Sequence, residues 1–172
     1  AFDATLSAGP TPILENKAKP QHKSAKSMQS SEFSTNGRGL LSQKGWTVRG
    51  KALVTDVPIT YLGYVNTDSG VIEETGHPLD GCALEGRVLI YPKGSGSTVA
   101  PYVLMGLLYT GKGPLEIINR DVCSLTLPAC SLLGLPYGHG FEEDPCMQVN
   151  NGDEVELSLL DGIVSLKVIK RV

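Results

Sequence analysis

IYPKGSGSTVAPYVLMGLL, residues 90–108, decides how the rest of the chain is read. The run Val88 to Tyr91 alternates poorly, which suggests a strand buried on both faces. It leads into Gly94-Ser95-Gly96-Ser97-Thr98, and a helical pattern follows from about Val99 to Tyr109. Downstream, PLEIINR (114–120) predicts a second buried strand, and LTLPACSLLG (125–134) a helix closed by Gly134. LPYGH (135–139) starts another strand. Upstream, TVRGKALVTD (47–56) reads as a strand, VPITYLGYV (57–65) as an apolar, β-rich segment and GVIEE (70–74) as a short strand. Residues 150–172 alternate between Asn-Gly and Asp-Gly turns, the pattern of β-hairpins. The expected fold is mixed α+β, with a β-barrel-like body and a small strand–helix–strand–helix layer.

Composition agrees with short elements and tight turns. The chain has 172 residues, 41% of them hydrophobic but only 6% aromatic, with 20 Gly and 11 Pro. A net charge of -3 gives no sign of nucleic-acid binding, and no apolar run approaches the roughly 20 residues of a membrane helix. The first residues lack the apolar core of a secretory signal, so a cytoplasmic protein is expected. Cys82, Cys123, Cys130 and Cys146 form no C-x-x-C pair and no zinc or cluster spacing, which favours reduced, partly buried thiols. Charge divides the chain unevenly. Residues 1–45 hold six Lys/Arg against three acids, and residues 46–172 hold nine against fifteen. The expected organisation is therefore a basic, Ser-rich arm or linker at 1–45, disordered or draped over a partner from Lys17 to Ser34, and a folded domain at 46–172.

The glycine-rich turn holds the candidate chemistry. Gly94 and Gly96 permit a sharp bend and close approach of a ligand. Ser97 or Thr98 can cap the helix, and Thr98 is preferred because Pro101 then falls where its missing N–H is not needed. That choice leaves the Ser97 hydroxyl free. The turn is neither a dinucleotide fingerprint nor a P-loop, since Val99 stands where a third Gly is required and no Gly-Lys-Ser/Thr follows. From the residues alone, an anion-binding turn and an ordinary capped turn remain equal readings.

Four stretches in order resemble the swivel domain, or small subunit, of aconitase X. They are residues 49–72, 76–104, 111–119 and 132–138, which include His77-Pro78-Leu79, Gly81, Gly86, Pro92 and Gly94 to Thr98. The resemblance implies a swivelling β/β/α domain of a hydro-lyase. It implies a catalytic serine at Ser97, with Gly94, Ser95, Gly96 and Thr98 at the substrate. It further implies a larger partner subunit or domain that carries an iron or iron–sulfur centre, with none bound by this chain alone. The family pattern often has Lys where this chain has Ser95, and Gly-Ser where it has Ala100-Pro101. Two small hydroxy-acid substrates compete within the family. Ser95 leans toward cis-3-hydroxy-L-proline, dehydrated to a pyrroline-2-carboxylate, over a phosphorylated mevalonate.

Dehydration needs a base to take a proton next to a carboxylate. A serine hydroxyl is a weak one. A helix N-terminus offers roughly 1 kcal/mol, less than one pKa unit. Ser97 therefore needs cationic groups or a second protein surface beside it. Lys93 and Arg49 are the candidates in this chain, and His77 is a candidate site or interface residue whose plainer role is to hold its loop. His139, between two glycines, is a weaker candidate, and Glu142-Glu143-Asp144 reads as a solvated loop. Readings of another class are a non-catalytic anion-binding module and a domain that only shields a partner's site.

Overall fold

The structure, a computed structural model, describes residues 32–172. Nine strands and three helices follow in chain order. They are β1 (Ser34–Gly39), β2 (Trp46–Val54), β3 (Ile59–Thr60), β4 (Arg87–Tyr91), β5 (Gly94–Ser95), α1 (Ala100–Tyr109), β6 (Glu116–Asn119), α2 (Leu127–Leu133), β7 (Tyr137–His139), α3 (Pro145–Gln148), β8 (Glu154–Leu160) and β9 (Ile163–Lys170). Seven strands close a barrel in the order β1-β7-β6-β4-β2-β8-β9, sealed by β9 on β1. Strands β2, β4, β6 and β7 run parallel, and the remaining pairings in the barrel are antiparallel.

The parallel strands explain the unbroken apolar run of 88–91. Leu89 and Tyr91 face α1 and α2, packing with Leu53, Leu104, Leu107, Ile117 and Ala129. Val88 and Ile90 face the barrel interior with Ala52, Ile118, Val155, Leu157 and Leu166. Each such side chain contributes about 1.5–3 kcal/mol by leaving water. Helix α1 turns Ala100, Leu104 and Leu107 inward at four- and three-residue steps. Helix α2 stops at Gly134, whose φ of 68° is left-handed, as the sequence predicts. Strands β8 and β9 alternate buried and half-buried or exposed residues through a hairpin. Its turn, Asp161-Gly162, has φ of 49° and 79°, the type I′ signature.

Four expectations change. Strand β1 lies inside the stretch read as an arm, so the folded unit begins before residue 46 and residues 34–39 are a wall of the barrel. The remainder of the basic stretch, up to residue 31, lies outside the described residues. The apolar segment 57–65 supplies only the two-residue β3, and Tyr61 and Val65 are buried from loops. Residues 70–74 make isolated bridges, Val71 with Ala83 and Ile72 with Val65, not a strand. The Asn-Gly turn leads α3 into β8, so 150–172 holds one hairpin. Among the described residues no helix is long and apolar enough to cross a membrane.

Candidate functional site

Because β2, β4, β6 and β7 are parallel, the loops that follow them emerge on one rim of the barrel. The ends of parallel strands are where α/β sheets place their ligands. The loop after β4 carries the glycine-rich turn, and the loop after β6 runs beside it.

Two attachments hold the turn. Gly94 and Ser95 form β5 and pair with Ile59 and Thr60 of β3, and Ile59 N–H donates to the carbonyl of Lys93 at 3.2 Å. Gly94 N–H also donates to Cys123 Sγ at 3.2 Å. A side chain at Gly94 would lie 3.1 Å from Leu125 Cβ, so only glycine sits here without displacing the next loop. Gly96 has φ of 86°, and a Cβ would meet Thr60 Cγ2 at 2.9 Å. The chain thus rises off β5 through a left-handed residue and presents Ser97, Thr98 and Val99, all exposed.

The cap differs from the expectation. Val99, not Thr98, is the residue before α1, no side chain caps the helix, and Pro101 falls within its first two positions. Ser97 Oγ accepts from Val99 N–H at 3.3 Å, and the Ser97 carbonyl accepts from Ala100 N–H at 3.0 Å. This local turn uses Ser97 where Thr98 was expected to bond, and it delays the helix by one residue. The Ser97 hydroxyl remains at the surface. A donor aimed at Oγ favours negative charge on that atom.

Of the cationic candidates, Lys93 is exposed beside the turn. It lines a cavity of about 370 Å³ with Pro92, Gly94, Arg120, Cys123 and Leu125. Arg49 stands mid-strand in β2 and pairs with Glu154 at 2.9 Å, away from the turn. Ser95 is half-buried in β5 and takes part through its backbone pairing. His77 has the structural role. Its Nδ1 accepts from Leu79 N–H at 3.0 Å, which leaves Nε2 as the donor to the Pro58 carbonyl at 3.2 Å. It therefore braces the residue before β3, and hence the strand on which the turn rests. Burial and the nearby Arg38 hold the His139 imidazole below its ordinary range.

Two features of the rim escaped the sequence reading. Asp144 is not part of a merely solvated loop. Its Oδ1 accepts from Cys146 N–H at 3.0 Å, capping α3, and its Oδ2 accepts from Arg120 Nε at 2.6 Å. Asp-Pro at a helix start is a readable signal for this. The second feature is a set of buried polar side chains below the turn. Tyr61 and Tyr91 share a hydrogen bond at 2.6 Å, and Tyr91 also bonds Thr126 Oγ1 at 3.0 Å. Asn119 Nδ2 donates to the Tyr91 carbonyl, while Asn119 Oδ1 accepts from the Tyr137 hydroxyl. Burial pushes all three phenols above their ordinary range, which keeps them neutral.

The residues described do not fit an iron or iron–sulfur centre. Among them no three His, Cys, Asp or Glu side chains gather in one place. Cys123, Cys130 and Cys146 are buried, and burial pushes the Cys130 and Cys146 thiols up to about 12, so neither is a ready thiolate ligand.

Similarity to known proteins spans the barrel. The family model of the aconitase X swivel domain matches residues 34–166. A phosphomevalonate dehydratase small subunit of Methanocella arvoryzae is 34% identical over 122 residues, covering 71% of this chain and 92% of that protein. One from Methanopyrus kandleri is 36% identical over 110 residues, covering 64% and 82%. Aconitase X of Thermococcus kodakaraensis, at 23% identity, shares the fold with a TM-score of 0.68 over 78% of this chain and 98% of that one.

Proposed function

The chain belongs to the aconitase X swivel-domain family, and from that premise we propose that it is the small, serine-bearing half of a dehydratase acting on phosphomevalonate. The observation that carries this reading is the placement of Ser97. Its hydroxyl is exposed at the rim and accepts one backbone N–H, on a turn held by β3 on one side and Cys123 on the other. The substrate comes from the similar proteins, which are named small subunits of phosphomevalonate dehydratase. The reading toward cis-3-hydroxy-L-proline rested on Ser95 where the family often has Lys. It becomes the second choice, because Ser95 is half-buried in β5 and that side chain is a weak selector.

In this reading a larger subunit docks on the rim and holds the substrate and an iron centre, which would polarise the leaving hydroxyl. Ser97 acts as its alkoxide, its own proton having passed to solvent before the surfaces close, and Oγ takes the proton next to the substrate carboxylate to become the hydroxyl again. Val99 N–H steadies the alkoxide before the transfer, and the partner surface excludes water from it. Lys93 adds positive charge at the edge of the turn.

The test is co-expression with the larger subunit and assay of the complex on both substrates. Ser97→Ala should lower kcat by about 10²–10⁴-fold, with substrate binding largely kept. The chain alone should give no turnover. A rate indifferent to Ser97→Ala would leave a shielding module, and turnover by the chain alone would end the two-part reading.

A further inference from the structure

Asn119, Tyr137 and Cys123 are buried, yet each bears a polar atom at the end of the parallel sheet. Such atoms are costly unless paired. Here they pair in a line that ends on the catalytic turn. Asn119 Nδ2 donates to the Tyr91 carbonyl at 3.1 Å, and Asn119 Oδ1 accepts from the Tyr137 hydroxyl at 3.0 Å. That hydroxyl accepts from Cys123 N–H at 3.2 Å, and Cys123 Sγ accepts from Gly94 N–H at 3.2 Å. Strands β4, β6 and β7 each give one residue, so the line ties the loop after β6 to the barrel wall and the glycine turn to that loop.

Gly94 is the point where control of the turn is most direct. Its other attachment is the short pairing with β3, and its missing side chain leaves room for the Cys123 loop to approach. A displacement at Gly94 passes through a single left-handed residue, Gly96, to Ser97. We propose that Cys123 is a positioning residue for Ser97. Its sulfur fixes the Gly94 amide, and Tyr137 and Asn119 fix Cys123. This rests on the reading of Ser97 as proton acceptor and adds a residue that acts on it from below, without touching substrate.

Three variants separate positioning from packing. Cys123→Ser keeps an acceptor, Cys123→Ala removes it, and Tyr137→Phe keeps the ring while removing the hydroxyl that holds Cys123. In the complex with the larger subunit, Cys123→Ala and Tyr137→Phe should lower kcat about tenfold with KM within about twofold, since small misplacements at a reacting atom are costly. Cys123→Ser should recover most of the rate. In the full chain, without substrate, amide hydrogen exchange across 94–98 should quicken in the first two variants and not in Cys123→Ser. Unchanged exchange in Cys123→Ala overturns the proposal, as does a Cys123→Ser enzyme as slow as Cys123→Ala. If exchange responds but turnover ignores Ser97→Ala, the functional reading falls, and the positioning role with it.

Discussion

Strand β6 reads differently at its two ends. At the rim, Asn119 has its amide oxygen and nitrogen both engaged, by Tyr137 and the Tyr91 carbonyl. Three residues earlier, in register with Val88, Glu116 is equally buried, and neither carboxyl oxygen has a partner. Burial pushes the Glu116 carboxyl well above its usual range, so it is held neutral. The barrel wall nearby is held by apolar packing of Val155, Leu157, Val164 and Leu166, and the rim by hydrogen bonds between side chains distant in sequence. The wall gains its stability from area removed from water. The rim gains less, but it fixes where a few atoms sit.

That contrast can be tested from its strongest effect downward. Leu157→Ala should destabilise the chain by about 2–5 kcal/mol, seen as a lower urea midpoint, because a packed interior cannot collapse around the lost atoms. A loss below about 1 kcal/mol would mean the wall is loosely packed. Gly96→Ala should cost about 1–2 kcal/mol from left-handed strain, and it should reduce turnover of the complex more than thermal stability. Asp144→Ala removes both the α3 cap and the partner of Arg120, and a loss of about 1 kcal/mol in urea titration is expected.

Glu116→Gln gives the smallest effect at low pH and a diagnostic trend. In the unfolded chain this carboxyl ionises at about 4.3. In the folded chain it keeps its proton to higher pH, so folding binds a proton and stability falls as pH rises from that value. The wild type should match Glu116→Gln at acidic pH and fall behind it toward neutrality. Parallel melting curves across the range would show that Glu116 is solvated after all.

Legibility in the sequence follows the same division. The run Val88 to Tyr91, the alternation along 154–170 and the closing Gly134 are visible because apolar packing imposes a period. Strand β1 is not. Its Gly37 is buried where a Cβ would meet Phe141 Cδ2 at 2.7 Å, so the strand shows polar and small residues where alternation would be sought. The segment 57–65 misleads in the opposite way, being apolar because Ile59 of the two-residue β3 and Tyr61 and Val65 of the loop after it cover the core. At the site, Gly94 to Ser97 was evident as a turn. Its supports, Cys123, Asn119 and Tyr137, were not, because partners far apart in sequence leave no local pattern. The N-cap at Val99 was missed because a Ser97 bond within the turn displaced the expected one.

The sealing of β9 on β1 has a consequence for how this domain can be joined to others. Ser34 lies opposite Lys167, and both flanks of the domain emerge at the end of the barrel where β2, β4 and β6 finish. A polypeptide tethered at either flank starts on the same rim as Ser97, across the barrel from it, and even a short tether would confer millimolar effective concentration at that rim. One barrel is therefore equally suited to life as a detached subunit or as a covalent appendage, with no change to its strands.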